Sequence, residues 1–390
     1  MAWLTTGEAL AVLGTKPQTL YANVSRGRIR AKPDPKDTRR SLYDREDVRR
    51  LAKRGAGRRK AETVAAETMK WGDPVLESAI STVVGGRLFY RGQDAAKLAS
   101  TQTLEEIAEL LWEANSVRFD RSSPARSPKM HPQEQASPLR AGFVALAERA
   151  GTDPPARGRS RQILRMEAAS VVGWFATAML GPRDIASELF LHQRLAAAWG
   201  RPEIDDLIRR ALVLLADHEL NASTFAARIT ASTGASLSAS MLAGLTALTG
   251  PLHGGAAAGM RALVVLAMRA GAEEALRTWL DHGNPIPAFG HPLYPEGDAR
   301  AVALLARFEP PPIFSELSQA ARDIVGEEPN IDFALAALTV AYDLPSEAPL
   351  VLFALARCVG WIAHALEQNE TGKLIRPRAH YVGPPIAMSA

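Results

Sequence analysis

Two histidines and one aspartate in the C-terminal half of the chain stand out for the residues around them. His253 lies in Gly250-Pro-Leu-His-Gly-Gly255, and His291 in Phe289-Gly-His-Pro-Leu-Tyr294, which runs on to Asp298-Ala-Arg300. Asp332 lies in Asn330-Ile-Asp-Phe333, at the head of an apolar run. A carboxylate base, a donor for a forming enolate oxygen and a second donor for an electrophile could together make a carbon–carbon bond beside a thioester carbonyl. The residues alone leave plainer readings open. Asp before an apolar run commonly caps a helix, and a lone His is commonly a hydrogen-bonded loop or core residue. A metal site is a further reading, but neither HExxH nor close His/Asp spacing supports one.

Helices must position these groups. Ile204, Leu207, Ile208, Ala211, Leu212 and Leu215 repeat at helical spacing. Ala-rich, Gly-punctuated helical segments follow at 221–249, 256–272, 331–342 and 349–366, and alternating strand patterns are scarce outside Arg87-Leu-Phe-Tyr90. The pattern predicts an all-α domain of many packed helices. At 390 residues the chain is too long for one simple core. A composition of 47% hydrophobic and 23% charged residues is that of a soluble globular protein. No apolar run reads as a membrane span, and the N-terminus lacks a signal-peptide layout. Cys358 is the single cysteine, which excludes an intramolecular disulfide and predicts a reduced, cytoplasmic setting. Arg118–Arg161 reads as a surface excursion with a short helix near Leu139–Ala150.

Charge is unevenly spread. Residues 1–60 hold 16 Lys+Arg against 6 Asp+Glu, a net of +10, while the remainder has a net of −6. Residues 1–54 read as a small unit: a helix capped by Thr5 or Thr6, a second helix from Thr15 to Val24, a basic hairpin from Gly27 to Tyr43, and a third helix from Asp44. This resembles the winged helix-turn-helix of MerR- and excisionase-type DNA-binding domains. Gln18, Thr19, Tyr21, Asn23 and Ser25 would then offer base or phosphate contacts, and Arg26, Arg28, Arg39 and Arg40 would meet phosphates. A purely structural unit, kept for solubility or dimerisation, is the other reading. Residues 55–61, rich in Gly and Arg, read as a hinge.

Four further segments complete a pattern. Gly85-Gly-Arg-Leu-Phe-Tyr-Arg-Gly-Gln93, Asp217-His-Glu-Leu-Asn-Ala-Ser-Thr224, the two His segments, Asn330-Ile-Asp-Phe333, Ala356-Arg-Cys-Val-Gly-Trp-Ile-Ala-His364 and Ile375-Arg-Pro-Arg378 occur in the order seen in citrate synthases. The resemblance covers about residues 62–385. It implies a large helical domain in two parts, 62–221 and 336–390, a small one at 222–335, and a cleft between them. It implies condensation of acetyl-CoA with oxaloacetate and hydrolysis of citryl-CoA in the tricarboxylic acid cycle, without a permanently bound cofactor. 2-Methylcitrate synthase, using propionyl-CoA, and a DNA-binding regulator with a metabolite-sensing domain are the alternatives.

By resemblance Asp332 is the base, His253 the enolate donor and His291 the donor to the ketone, while His218, Arg300, Arg357 and Arg376 bind oxaloacetate. Arg376 would act across a homodimer, and Arg378 is a weaker candidate for the same part. Arg357 lies in an apolar segment, where an unpaired cation is costly to bury. Pro287, Ala288, Phe289 and Gly290 resemble the loop that wraps the adenine of coenzyme A. Pro292 and Pro295 stand where relatives carry arginine, so the phosphates need another partner, with Arg228 or a nearby Lys the candidates.

Overall fold

The computed structural model describes residues 3–13, 17–25, 29–34, 37–49, 76–120, 137–181, 186, 188–379 and 381–384. The chain divides into two compact units, Met1–Glu77 with Arg378–Ala390, and Ser78–Pro377. The expected hinge at 55–61 and the Ser/Pro/Arg run at 121–128 lie outside the described residues.

The first unit contains β1 (Trp3–Leu4), α1 (Thr6–Leu13), α2 (Pro17–Ser25), β2 (Ala31–Asp34), β3 (Asp37–Asp44) and α3 (residues 45–49). Thr5 caps α1: its Oγ1 accepts from Glu8 N, and its own amide donates to the Glu8 carboxylate at 2.8 Å. The hairpin starts later than the sequence suggests. β2 pairs with β3 from Ala31↔Tyr43 to Asp34↔Asp37, and β1 adds an unforeseen third strand in the antiparallel order β1-β3-β2. Leu4, Ala9, Leu20, Ile29, Tyr43 and Val48 form its core.

The second unit opens with an antiparallel sheet, β4 (Ser81–Val84), β5 (Arg87–Tyr90) and β6 (Gln93–Asp94). Helices then dominate: α4 (Ala95–Leu98), α5 (Leu104–Trp112), α6 (Pro138–Thr152), α7 (Arg161–Leu180), α8 (Leu191–Ala198) and α9 (Asp205–Leu215). After them come α10 (Ala222–Ser232), α11 (Leu237–Leu248), α12 (Ala256–Ala270), α13 (Ala272–Asp281), α14 (Ala299–Leu305), α15 (Pro312–Val325), α16 (Ile331–Ala341) and α17 (Ala348–Thr371).

Two apolar clusters organise the second unit. The larger surrounds α17, which packs against α5, α7, α9, α10, α11 and α16. The smaller joins α12, α13, α15 and α16 through Leu263, Leu276, Phe314, Leu317 and Phe333. The resemblance implies a small lobe at 222–335; within that range α10 and α11 pack on α17 and contribute Ala227, Met241 and Leu245 to the larger cluster. Their small-residue faces suit either partner, so periodicity alone does not assign them. α16 serves both clusters, with Leu335 and Leu338 on one side and Phe333 and Ala337 on the other.

The absence of span-length apolar runs needs correction. α7 and α17 are long and apolar enough to cross a membrane by length and composition, and 89% of the most apolar window of α17 is buried inside the protein.

Gly360 lets α17 approach the chain that follows α9. Its amide donates to Ala216 O at 3.1 Å, and a Cβ there would lie 2.5 Å from that oxygen and 2.2 Å from Asp217 Oδ1. Gly360→Ala should therefore destabilise the protein by about 1–3 kcal/mol despite the better helix propensity of alanine. Urea melts of the two proteins measure this; equal midpoints would mean that the helices part without cost.

Candidate active site

Asp217 and His218 follow α9 and sit at the larger cluster. Asp217 is fully buried; its Oδ2 accepts from Ser81 Oγ and lies 3.2 Å from His364 Nε2. His218, also buried, places Nε2 2.7 Å from Tyr294 Oη. Its ring stands edge-on to His291, with centroids 5.1 Å apart. Burial, then the charges of Arg300 and Arg357, hold the His218 pKa well below that of a free imidazole.

His253 lies in the turn before α12, whose N-cap is Gly255. Its Nε2 is 2.8 Å from Ser223 Oγ, which also accepts from Trp361 Nε1 at 3.1 Å. The Ser223 hydroxyl has one proton for two acceptors, Asn221 Oδ1 and His253 Nε2. When it goes to His253, a neutral ring carries its proton on Nδ1, ready to donate to a carbonyl. Burial, helped by Arg357, lowers the His253 pKa to about 4, so the ring is neutral near pH 7.

His291 lies in the loop between α13 and α14. Leu293 N donates to its Nδ1 at 3.2 Å, which assigns the proton of the neutral ring to Nε2. Burial and Arg300, opposed by Asp298, lower this pKa to about 4 as well.

Asp298 caps α14 and grips Arg300 with both oxygens: Nε to Oδ1 at 3.0 Å and NH2 to Oδ2 at 2.9 Å. It also accepts from Ile331 N at 3.0 Å and so ties the start of α14 to the start of α16. The Arg300 guanidinium lies 4.9 Å from the Tyr294 ring centre, and the clamp leaves its NH1 edge open. Both partners are buried.

Asp332 sits in the first turn of α16, where Asn330 is the N-cap; Asn330 Oδ1 accepts from Asp332 N at 3.0 Å. The cap reading therefore fits Asn330, not Asp332. Among the described residues the Asp332 carboxylate makes no ion pair. Burial, opposed by Arg300 and Arg357, raises its pKa to about 6. A carboxyl in that range is still ionised near pH 7 and is a stronger base than an exposed aspartate.

Arg357 is buried in the middle of α17. Its Nε donates to Leu215 O at 2.9 Å, and its guanidinium lies 4.7 Å from the Phe353 ring centre. Among the described residues no carboxylate pairs with it, and burial lowers its pKa to about 10. A buried guanidinium with its outer edge unpaired is a strong demand for an anion.

Pro287, Ala288, Phe289 and Gly290 form a loop laced to the start of α16. Asn330 N donates to Ala288 O at 3.0 Å, Asn330 Nδ2 to Gly290 O at 3.1 Å, and Gly290 N to Glu328 O at 2.8 Å. Ala288 is left-handed at φ 66°, a conformation that costs a residue with a side chain.

The structure therefore draws His218, His253, His291, Arg300, Asp332 and Arg357 into one electrostatically coupled group. It does not bring Arg376 into it. Arg376 is exposed in the extended segment after α17, next to Ile375, whose amide donates to Ser232 Oγ at 3.1 Å. Arg378, also exposed, forms no ion pair among the described residues. Arg228 is not available for phosphates: it is buried and bonds Gln368, His364 and Glu367. In the first unit Thr19 and Tyr21 are exposed, whereas Arg26 and Arg28 lie outside the described residues; for Gln18, Arg39 and Arg40 only the backbone is described.

Sequence reasoning assigns no role to Asp217, Ser223, Tyr294, Asp298 or His364. Each stands inside a quoted motif, but acts on another protein group, which spacing does not reveal.

Residues 69–378 match the family described as citrate synthase, C-terminal domain. "Citrate synthase 2" of Bacillus subtilis is 32% identical over 347 residues, spanning 79% of this chain and 93% of the relative. A 2-methylcitrate synthase of Mycobacterium tuberculosis is 29% identical over 351 residues, spanning 78% and 88%. The Thermoplasma acidophilum citrate synthase, solved with carboxymethyl coenzyme A and oxaloacetate, superposes with a TM-score of 0.69. It is 26% identical, and the match covers 81% of this chain and 96% of that one. With motif order, fold and likeness in agreement over most of its length, the chain belongs to the citrate synthase family.

Proposed function

We propose that this protein is a citrate synthase, an acyltransferase that condenses acetyl-CoA with oxaloacetate and hydrolyses citryl-CoA. The observation that carries the reading is the buried, unpaired edge of Arg357 among three neutral histidines and a basic carboxylate. Oxaloacetate carries two carboxylates and a ketone. Arg357 and the open edge of Arg300 take the carboxylates, and His218 lies beside them. His291 Nε2–H donates to the ketone oxygen.

Asp332 then removes a proton from the thioester methyl group. That proton is very weakly acidic, so the transfer needs a donor on the carbonyl oxygen at the same moment. His253 supplies it through Nδ1–H, with Ser223 holding the other nitrogen. The enol carbon attacks the ketone, and His291 gives its proton to the forming alkoxide. Water then cleaves the thioester. Backbone groups of Pro287–Gly290 are assigned to the adenine, and Arg376 to the site of a second subunit in a homodimer. The conformation of Ala288 and the exposure of Arg376 support those two assignments.

Propionyl-CoA is the second substrate to test, because one methylene is worth only about 1–3 kcal/mol in a pocket and a 2-methylcitrate synthase is among the relatives. Free-thiol release from either acyl-CoA must depend on oxaloacetate. A folded protein that releases none would remove the synthase reading, and the ratio of kcat/KM values decides the acyl group.

The pH profile tests the base. Activity requires ionised Asp332, so kcat/KM should hold above about pH 6 and fall as Asp332 gains a proton below it. His253 and His291 are neutral down to about 4, and burial and the nearby arginines hold His218 well below the ordinary imidazole value, so none should add a limb near pH 6. A profile still flat at pH 5 would count against Asp332.

Asp332→Asn should be inactive and yet more stable. A carboxyl whose folded pKa is raised from 3.8 to about 6 loses stability on ionising as pH rises through that window. At neutral pH the amide should gain about 1–3 kcal/mol, with the difference closing below the lower value. Equal melting at both pH values would show that the group is not strained.

Residues 1–54 are proposed to be a winged helix-turn-helix that binds DNA. Their net positive charge, the α1–α2 pair, the β2–β3 hairpin and the exposed Thr19 and Tyr21 support this. Fluorescence anisotropy of labelled duplex should show binding that weakens steeply with salt. No binding even at low salt would leave the unit a structural role.

A further inference from the structure

A buried polar chain lies behind the proposed oxaloacetate site and takes no part in the chemistry above. It runs from Ser81 Oγ to Asp217 Oδ2, then to His364 Nε2 at 3.2 Å. From His364 Nδ1 it continues to Arg228 NH1 at 3.2 Å, and Arg228 bonds Glu367 at 2.6 Å and Gln368 at 2.8 Å. Asp217 and His364 have no exposed surface, and Arg228 has almost none.

The contrast with Asp298 is informative. Asp298 neutralises Arg300 by gripping it directly. Arg357 is as deeply buried, but among the described residues no carboxylate touches it. Asp217 lies close by: it follows Leu215, whose carbonyl accepts from Arg357 Nε, by two residues. Its carboxylate is held off the guanidinium by Ser81 and His364, and its second oxygen, Oδ1, is buried without a hydrogen-bond partner. Asp217 is also the largest electrostatic influence favouring the charged form of Arg357. Burial disfavours the ionised Asp217, but His364, Arg357 and Ser81 outweigh it, so its pKa lies below the ordinary value.

We propose that Asp217 is the tethered counter-charge of Arg357, and that His364 and Ser81 hold it away so that the guanidinium edge stays open to a substrate carboxylate. A direct pair would neutralise Arg357 equally well but would occupy the donors that oxaloacetate needs. Without the carboxylate, a buried lone cation would be costly to keep charged. His364 is a positioning residue, fixed on its far side by Arg228. The inference rests on Arg357 binding oxaloacetate.

Steady-state kinetics of the full-length protein test it with Asp217→Asn, His364→Leu and Arg357→Gln. Asp217→Asn removes the charge at constant shape. His364→Leu removes the donor on Asp217 and frees the carboxylate to pair with Arg357. Each should raise KM for oxaloacetate on the order of tenfold, while KM for the acyl-CoA stays within about twofold of wild type. A purely structural role would lower the active fraction and the melting temperature, leaving both KM values unchanged; that result in either folded variant would overturn the proposal. Arg357→Gln separates the two readings. If it leaves oxaloacetate KM unchanged, the assignment of Arg357 has failed. If it raises KM while the other two variants do not, only the tether has failed. Should Asp217→Asn not fold, His364→Leu still decides.

Discussion

The architecture turns on a polar stripe inside an apolar helix. Arg357, Trp361, His364 and Gln368 recur at helical spacing on α17, and each must find a partner because water cannot reach it. The partners are Leu215 O, Ser223, Asp217 and Arg228, all within or just beyond α9 and α10. Satisfying that stripe sets the depth, rotation and register of α17 at once. The apolar faces of α5, α7 and α11 then close around it. A helix of similar hydrophobicity without the stripe could rotate with little penalty; this one cannot.

The histidines illustrate what burial does to a site. Each is pushed toward the neutral form by desolvation and by nearby arginines. Neutral rings can donate one proton from a defined nitrogen, and the neighbours Leu293 and Ser223 influence which nitrogen that is. The same low-polarity surroundings push Asp332 in the opposite direction, toward holding its proton more tightly. One environment thus yields imidazoles that are weakened as bases and a carboxylate that is strengthened as one, side by side.

Much of this was legible in the residues. The helices around 204–215, 331–342 and 349–366 follow from apolar spacing, and the oddity of Arg357 follows from an arginine in an apolar run. Other features were not. Asp217 and Asp298 are both acids near histidines or arginines, but only geometry shows that one clamps its arginine and the other does not. Asn330, not Asp332, caps α16, because the side chain that reaches back depends on backbone angles that composition does not reveal. α10 and α11 carry small residues suited to either cluster, so their allegiance emerges only with the fold. Arg228, a candidate for the coenzyme A phosphates, is instead the far end of a buried chain, a role that only the fold reveals.

Asn330 has a mechanical consequence. Its amide and side chain hold Ala288 and Gly290, while its own oxygen holds the amide of Asp332. The three hydrogen bonds that join the loop, Asn330 and Asp332 thus pass through one residue, next to the left-handed Ala288. The loop and the head of α16 are laced together, so a ligand that settles against residues 287–290 bears on the same turn that carries the Asp332 carboxylate.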